Sequence, residues 1–200
     1  VALVIARGIS QKKGAEHARD QLTAVQNNAA QTCITQDIAR HPALEVWKKA
    51  YEKFGLDPKT YKSSVEALAL RAIKKKVRSI APLVDCYNST SIEYLMPMGG
   101  WDISAVRGDI LLTRAVGGES VVTLDGETSQ AVAGEVIYRD AEGIVCRGWN
   151  WREARRVLLT PDTTEALFVV EAIAENDGAA LTAAAHTLAL RLRDWFGADA

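Results

Sequence analysis

The sequence predicts an α+β fold in which a mostly antiparallel β-sheet packs against helices. Three observations predict it. An alanine-rich first part carries apolar residues at helical spacing. The second half breaks into short apolar runs separated by glycine turns. A final stretch, "GAALTAAAHTLALRLRDWFG", returns to helical spacing. Helices, then antiparallel strands, then a closing helix is the α+β order. The 200 residues are read as a single domain over 1–200, helix-rich over 1–80, mainly β over 81–175, and closed by a helix over 177–197.

"VALVIARGI" opens the chain as a short buried strand. A helix is expected from Lys12 to about Ile38, with Leu22, Val25 and Ala29 on one face. Pro42 suits the first turn of the next helix, Leu44, Trp47 and Tyr51 line its apolar side, and Gly55 ends it. Ser63 or Ser64 caps a third helix with Val65, Leu68, Ala69 and Ile73 facing the core. Residues 82–103 read as a polar cluster, Asn88–Ser91, ahead of a short amphipathic run, followed by a bend at Gly99-Gly100. Strands follow over 109–116, 119–124, 134–140, 143–151 and 165–173, the first four forming two hairpins. In "IVCRGWNWRE" (144–153), strand alternation puts Arg147, Trp149 and Trp151 on one face and Cys146, Gly148 and Asn150 on the other.

Composition narrows the chemistry. Hydrophobic residues make up 48% and charged residues 24%, ordinary values for a globular chain. At a net charge of −1, any nucleic-acid contact has to come from a local basic patch. Three scattered cysteines and three histidines far apart give neither a disulfide framework nor a metal-ligand spacing, and no nucleophile motif or phosphate-binding loop is present. No metal, cofactor or membrane span is expected, and the first segment is too short and too soon charged for a secretory signal, so a cytoplasmic setting is the default.

Several separated strings resemble, in order, one family. Val84-Asp85, Asn88, Pro97, Asp102, Gly118-Glu119 and Leu124-Asp125-Gly126 are similar to the editing domain of the bacterial phenylalanyl-tRNA synthetase β subunit, a B3/B4-type domain. "SSVEAL", "PMGGWD", "GEVIYRD", "CRGWNWRE" and "TPDTTEALF" resemble its standalone relatives, over roughly residues 40–175. The resemblance implies a trans-editing deacylase that hydrolyses the ester of a mischarged tRNA, with canavanyl-tRNA(Arg) as the preferred substrate. Gly99 stands where the synthetase pattern carries a histidine, and Asn150, Arg152 and Glu153 compete for the role of its later glutamate.

An aminoacyl ester is already activated, so positioning a water and stabilising an oxyanion can suffice. The expected catalytic set is Asn88 and Asn150 with the backbone amides of Gly99 and Gly100. Tyr87, Ser89, Asp102, Glu135, Trp149, Trp151 and Glu153 are expected to bind the substrate: Asp102 or Glu135 its ammonium or a guanidinium-like end, Trp149 or Trp151 the terminal adenine. Arg147, Arg152, Arg155 and Arg156, with Lys74, Lys75 and Lys76, are expected to meet the phosphates of the tRNA acceptor end. A non-catalytic module that binds tRNA or an amino acid, and a hydrolase of some other ester, are the competing readings.

Overall fold

A computed structural model describes residues 1–32, 37–173 and 177–200. Strand β1 (Ala2–Arg7) forms where the β-branched run predicts it, burying Val4 and Ala6. Helix α1 (Gln11–Thr32) buries Ala18, Leu22 and Val25 along one stripe. The expected continuation to Ile38 is not found: residues 33–36 lie outside the described residues, and Ile38 opens a separate 3-10 turn that Asp37 caps by accepting the Ala39 N–H.

Helix α2 (Pro42–Lys53) starts at a cap in which His41 Nδ1 accepts the Ala43 N–H at 3.2 Å. It ends just before Gly55, whose φ of +87° suits only a residue without Cβ. Helix α3 (Ser64–Ala72) is capped by Ser63, whose Oγ accepts the Glu66 N–H at 3.4 Å.

Helix α4 (Pro82–Tyr94) corrects the reading of the polar cluster, which lies inside the helix and not ahead of it. The hydroxyls are satisfied locally: Ser89 and Thr90 donate to the Cys86 carbonyl at 2.8 and 2.9 Å, and Ser91 to that of Met96 at 2.6 Å. Asp85, in the first turn, accepts the Ile80 N–H at 3.0 Å and the Ser79 hydroxyl, which ties the incoming loop to the helix start.

The Gly99-Gly100 bend is also corrected. These glycines lie within strand β2 (Met98–Asp102), paired antiparallel with β9 (Glu165–Val170). A Cβ on Gly100 would fall 2.8 Å from the Phe168 ring and 3.0 Å from Leu159, so the glycine is required by close packing rather than by a turn. The sheet runs β1-β9-β2, covered by α1, α4 and α5 (Gly178–Phe196) around Leu83, Cys86, Phe168, Leu188, Leu192 and Phe196.

The second sheet runs β3 (Leu111–Arg114), β6 (Val136–Arg139), β7 (Ile144–Arg147), β8 (Arg152–Glu153), beside a ribbon of β4 (Ser120–Val122) and β5 (Thr128–Gln130). The β6–β7 hairpin is found as expected, but 109–116 does not pair with 119–124. Instead β3 pairs with β6 and β4 with β5. The Glu119 carboxylate accepts the N–H groups of Val116 and Gly117 at 2.8 and 2.7 Å, making 116–119 a closed loop that turns β4 away from β3. Asp125-Gly126 then supplies the hairpin turn, between β4 and β5.

Candidate functional site

The stretch 148–151 is a turn, and that decides the geometry of the site. Gly148 and Trp149 both have φ of 61°, so strand β7 stops at Arg147 and the expected alternation through 151 does not hold. A tryptophan in the left-handed region is strained and needs to be held there. The Trp149 N–H donates to the Val136 carbonyl at 2.6 Å, and its indole Nε1–H to Glu171 Oε1 at 2.6 Å. Its ring meets Trp47 edge-on, centroids 5.1 Å apart. Asn150 is fixed from both sides: Oδ1 accepts from the Tyr51 hydroxyl at 3.0 Å, and Nδ2 donates to Glu171 Oε2 at 2.8 Å. The Tyr138 hydroxyl gives Glu171 a third donor at 2.5 Å. Burial pushes the Glu171 carboxyl up while these donors oppose the shift.

Against this turn lies a cleft of about 540 Å³. Tyr87, Asn88 and Ser91 of α4 form one wall, Gly99, Gly100 and Trp101 of β2 another, and Trp149–Glu153 a third. The Asn88 helix and the tryptophan segment therefore share one cavity. Thr60, Lys62, Ser64 and Arg71 extend the lining, and with Arg152 they put three cations on it.

The polar groups of the cleft divide into two kinds. Glu171 and Asn150 are engaged by the protein. The side-chain amide of Asn88, by contrast, makes no hydrogen bond among the described residues and is only partly buried. Glu153 is a second available group. It faces Cys146 across the β7–β8 pair, and a Cβ on Gly99 would stand 2.7 Å from its Oε1. The missing side chain at position 99 is thus the space that the Glu153 carboxyl occupies. Burial raises Glu153 to about 7, against the Gly100 N–H and the Trp101 indole, which favour its charged form. The Trp101 Nε1–H is itself buried without a well-formed hydrogen bond, so its pull on the carboxyl acts through proximity rather than through good geometry.

Other expected site residues are placed elsewhere. Glu135 is fully buried and bound to Arg147, whose Nε lies 2.9 Å from Oε1; it also accepts the N–H of Gly148 at 2.8 Å and of Val132 at 3.0 Å. Neither Glu135 nor Arg147 lines the cleft, so neither is placed to meet an ammonium or a phosphate there. Asp102 is turned away, capping a 3-10 turn through the Ser104 N–H (2.9 Å) and accepting from the Thr163 hydroxyl (2.5 Å). Ser89 is buried on the far side of α4. Arg156 is clamped on Asp140 at 2.6 Å, Arg155 lies exposed beside Gly126, and Lys74, Lys75 and Lys76 form an exposed turn after α3, all outside the cleft lining. Trp151 does line it, but Tyr61 (4.6 Å) and the guanidinium groups of Arg147 and Arg152 (5.3 Å each) already surround its ring. The sequence reading missed Glu171, Tyr138, Lys62 and Arg71. For Glu171 a signal existed, a lone carboxylate closing the apolar strand "EALFVV".

The comparison with known families is decisive on membership: residues 46–191 match the B3/4 domain. The chain belongs to the B3/4 domain family. Among curated proteins, this B3/4 domain is similar to the phenylalanine–tRNA ligase β subunit of Leifsonia xyli subsp. xyli, 35% identical over 69 residues, or 34% of this chain and 8% of that protein. It is also similar to the β subunit of Thermotoga maritima, 31% identical over 90 residues, 44% of this chain and 11% of that one. It therefore spans only about a tenth of the length of these relatives. Among solved structures, an N-terminal fragment of the phenylalanyl-tRNA synthetase β subunit from Pyrococcus horikoshii aligns with a TM-score of 0.47 at 12% identity, covering 61% of this chain and 42% of the fragment. The B3/4 match begins within α2 and ends within α5, so it includes every wall of the cleft.

Proposed function

We propose that this B3/4 domain is an aminoacyl-tRNA deacylase, which hydrolyses the ester of a mischarged tRNA in trans. The observation that carries the reading is the cleft. It has an aromatic interior, an unengaged amide at Asn88, an available carboxyl at Glu153, and Lys62, Arg71 and Arg152 on its lining. That combination suits a substrate with a neutral carbonyl at one end and phosphates at the other. The similarity to phenylalanine–tRNA ligase β subunits supports tRNA as the carrier of the ester.

In this reading the Asn88 Nδ2–H group is the donor for the ester carbonyl, where negative charge develops as water adds. Its helix is fixed from below by Leu83 and Cys86 in the core, so the backbone that carries the donor is held in place before substrate arrives. The Trp149–Asn150 turn is held through Glu171 and serves as a rigid wall. Arg152, ion-paired at the surface with Asp125 at 3.2 Å, is free to exchange that partner for a phosphate, since an exposed pair of this kind is weak.

The test is a screen of tRNAs mischarged with different amino acids, canavanyl- and arginyl-tRNA(Arg) side by side. Turnover of at least one is expected, falling about 10²- to 10³-fold in Asn88→Ala, the size of effect seen when one oxyanion donor is removed. Binding is expected to weaken steeply with salt, less so in Arg152→Ala. Tight binding of every tRNA without turnover would replace this reading with that of a binding module.

A further inference from the structure

We infer that Glu153 is the general base of the reaction, the group that takes the proton from the attacking water. The inference rests on the deacylase reading and supplies what the sequence lacks, a base in a cleft with no histidine on its lining.

Three observations place it. Strand β8 is only two residues long, and its pairing with β7 sets Glu153 opposite Cys146 on the cleft side. The absence of a side chain at Gly99 is what lets the carboxyl lie against β2, since any Cβ there would stand 2.7 Å from Oε1. The Gly100 N–H and the Trp101 indole lie near the carboxyl and favour its charged form, and no ion pair consumes it. Among the described residues, the other carboxylate on the cleft, Glu171, already holds three donors, and Glu135 is sealed on Arg147.

The surroundings suit a proton acceptor that works near neutral pH. Burial pushes the Tyr87 phenol of α4 and the Cys146 thiol of β7 well up, so both face Glu153 uncharged. Arg152, its neighbour in the chain, is turned to Asp125 and to the Trp151 ring. The Glu153 carboxyl, raised to about 7, is half ionised where a base must both accept and return a proton.

The step balances. As the water oxygen bonds to the ester carbonyl carbon, one water proton moves to the Glu153 carboxylate and the carbonyl electron pair moves onto oxygen, opposite Asn88. On collapse the bond from carbon to the ribose oxygen breaks, and that oxygen takes the proton back from Glu153. The products are the free amino acid and a tRNA with its ribose hydroxyl restored.

The experiment compares wild type with Glu153→Gln and Glu153→Asp, using the mischarged tRNA that the wild type hydrolyses fastest in the screen. Single-turnover rates are read from pH 5.5 to 8.5, with tRNA binding measured in parallel. Expected for wild type is a rate that rises tenfold per pH unit and levels off above about 7. Expected for Glu153→Gln is a rate about 10²- to 10⁴-fold lower, with no such break and with tRNA affinity within twofold of wild type. Glu153→Asp keeps a carboxyl and is expected to retain a break at an intermediate rate. An unchanged break and rate in Glu153→Gln would overturn the base and leave the deacylase reading standing, as would a loss confined to tRNA binding. Failure of the wild type to turn over any mischarged tRNA would overturn the deacylase reading, and the base with it.

Discussion

Replacing Glu153 by glutamine should stabilise the protein at pH 8 and do so by only about a quarter as much at pH 5. Burial raises this carboxyl from 4.5 to about 7. Between those values the folded protein holds a proton that the unfolded chain has lost, so stability rises as pH falls from about 7 toward 4.5. Above 7 the folded state carries a partly buried charge, and its full cost is present. At about 1.4 kcal/mol per pKa unit the shift corresponds to at most about 3.5 kcal/mol, and solvent in the cleft screens part of it, leaving about 1–3 kcal/mol. Glutamine has the same shape and no charge, so it removes that cost while retaining an oxygen for the Gly100 N–H. The assay is urea denaturation of both proteins at pH 8 and pH 5, read as midpoints at constant slope. In a chain of this size, a gain of about 1–3 kcal/mol raises the melting temperature by about 2–12 °C. The Glu171 carboxyl, also raised by burial, contributes equally to both proteins and drops out of the comparison. The reasoning is refuted if glutamine destabilises the protein at pH 8, or if the difference is the same at both pH values.

Three further substitutions separate the cleft from its supports. Gly99→Ala places a Cβ 2.7 Å from Glu153 Oε1 in a strand whose backbone accepts alanine; deacylation should fall about 10- to 100-fold while the melting temperature moves by only a few degrees, checked by rate and by calorimetry. Glu135→Ala leaves Arg147 buried without its partner, so urea melts should show a loss of about 3–5 kcal/mol, and activity at low temperature should persist in the fraction that stays folded. Asn150→Ala strands both the Tyr51 hydroxyl and one oxygen of Glu171, a loss of about 2–4 kcal/mol by the same melts, while the Ser64 amide keeps its bond to the backbone carbonyl of residue 150.

The sequence made some of this legible and hid the rest for identifiable reasons. Helices α2, α3 and α5 were readable because cap, apolar stripe and stop signal agree locally: His41-Pro42, Leu44/Trp47/Tyr51 and Gly55 all point the same way. Helix α4 was obscured because Asn88, Ser89, Thr90 and Ser91 favour caps and turns in isolation; inside the folded chain the hydroxyls of Ser89, Thr90 and Ser91 find carbonyls within the same helix or just beyond its end. Strand β2 was obscured because Gly99-Gly100 has poor strand propensity, and the Phe168 ring, Leu159 and the Glu153 carboxyl, all distant in sequence, explain the glycines. The pairing of β3 with β6 was obscured for the same kind of reason: the Glu119 carboxylate closes a loop that reads locally as a hairpin turn.

The charged residues show where residue type alone stops being informative. Arg147, Glu135, Asp102 and Arg156 carry suitable chemistry for holding an ammonium or a phosphate, and each is consumed by the fold. Glu153 and Asn88 look no different in the sequence, and they remain available in the cleft. What distinguishes them is what the neighbouring chain fails to supply: no side chain at Gly99 to cover the carboxyl, and no partner for the amide among the described residues. Holding the tryptophan turn rigid takes Glu171, Tyr138, Tyr51 and Asn150 together, four polar residues that thereby leave the chemistry. A site built this way is prepared by exclusion. The fold engages most of the charged groups within reach, and the proposed chemistry falls to an amide and a carboxyl that it leaves available.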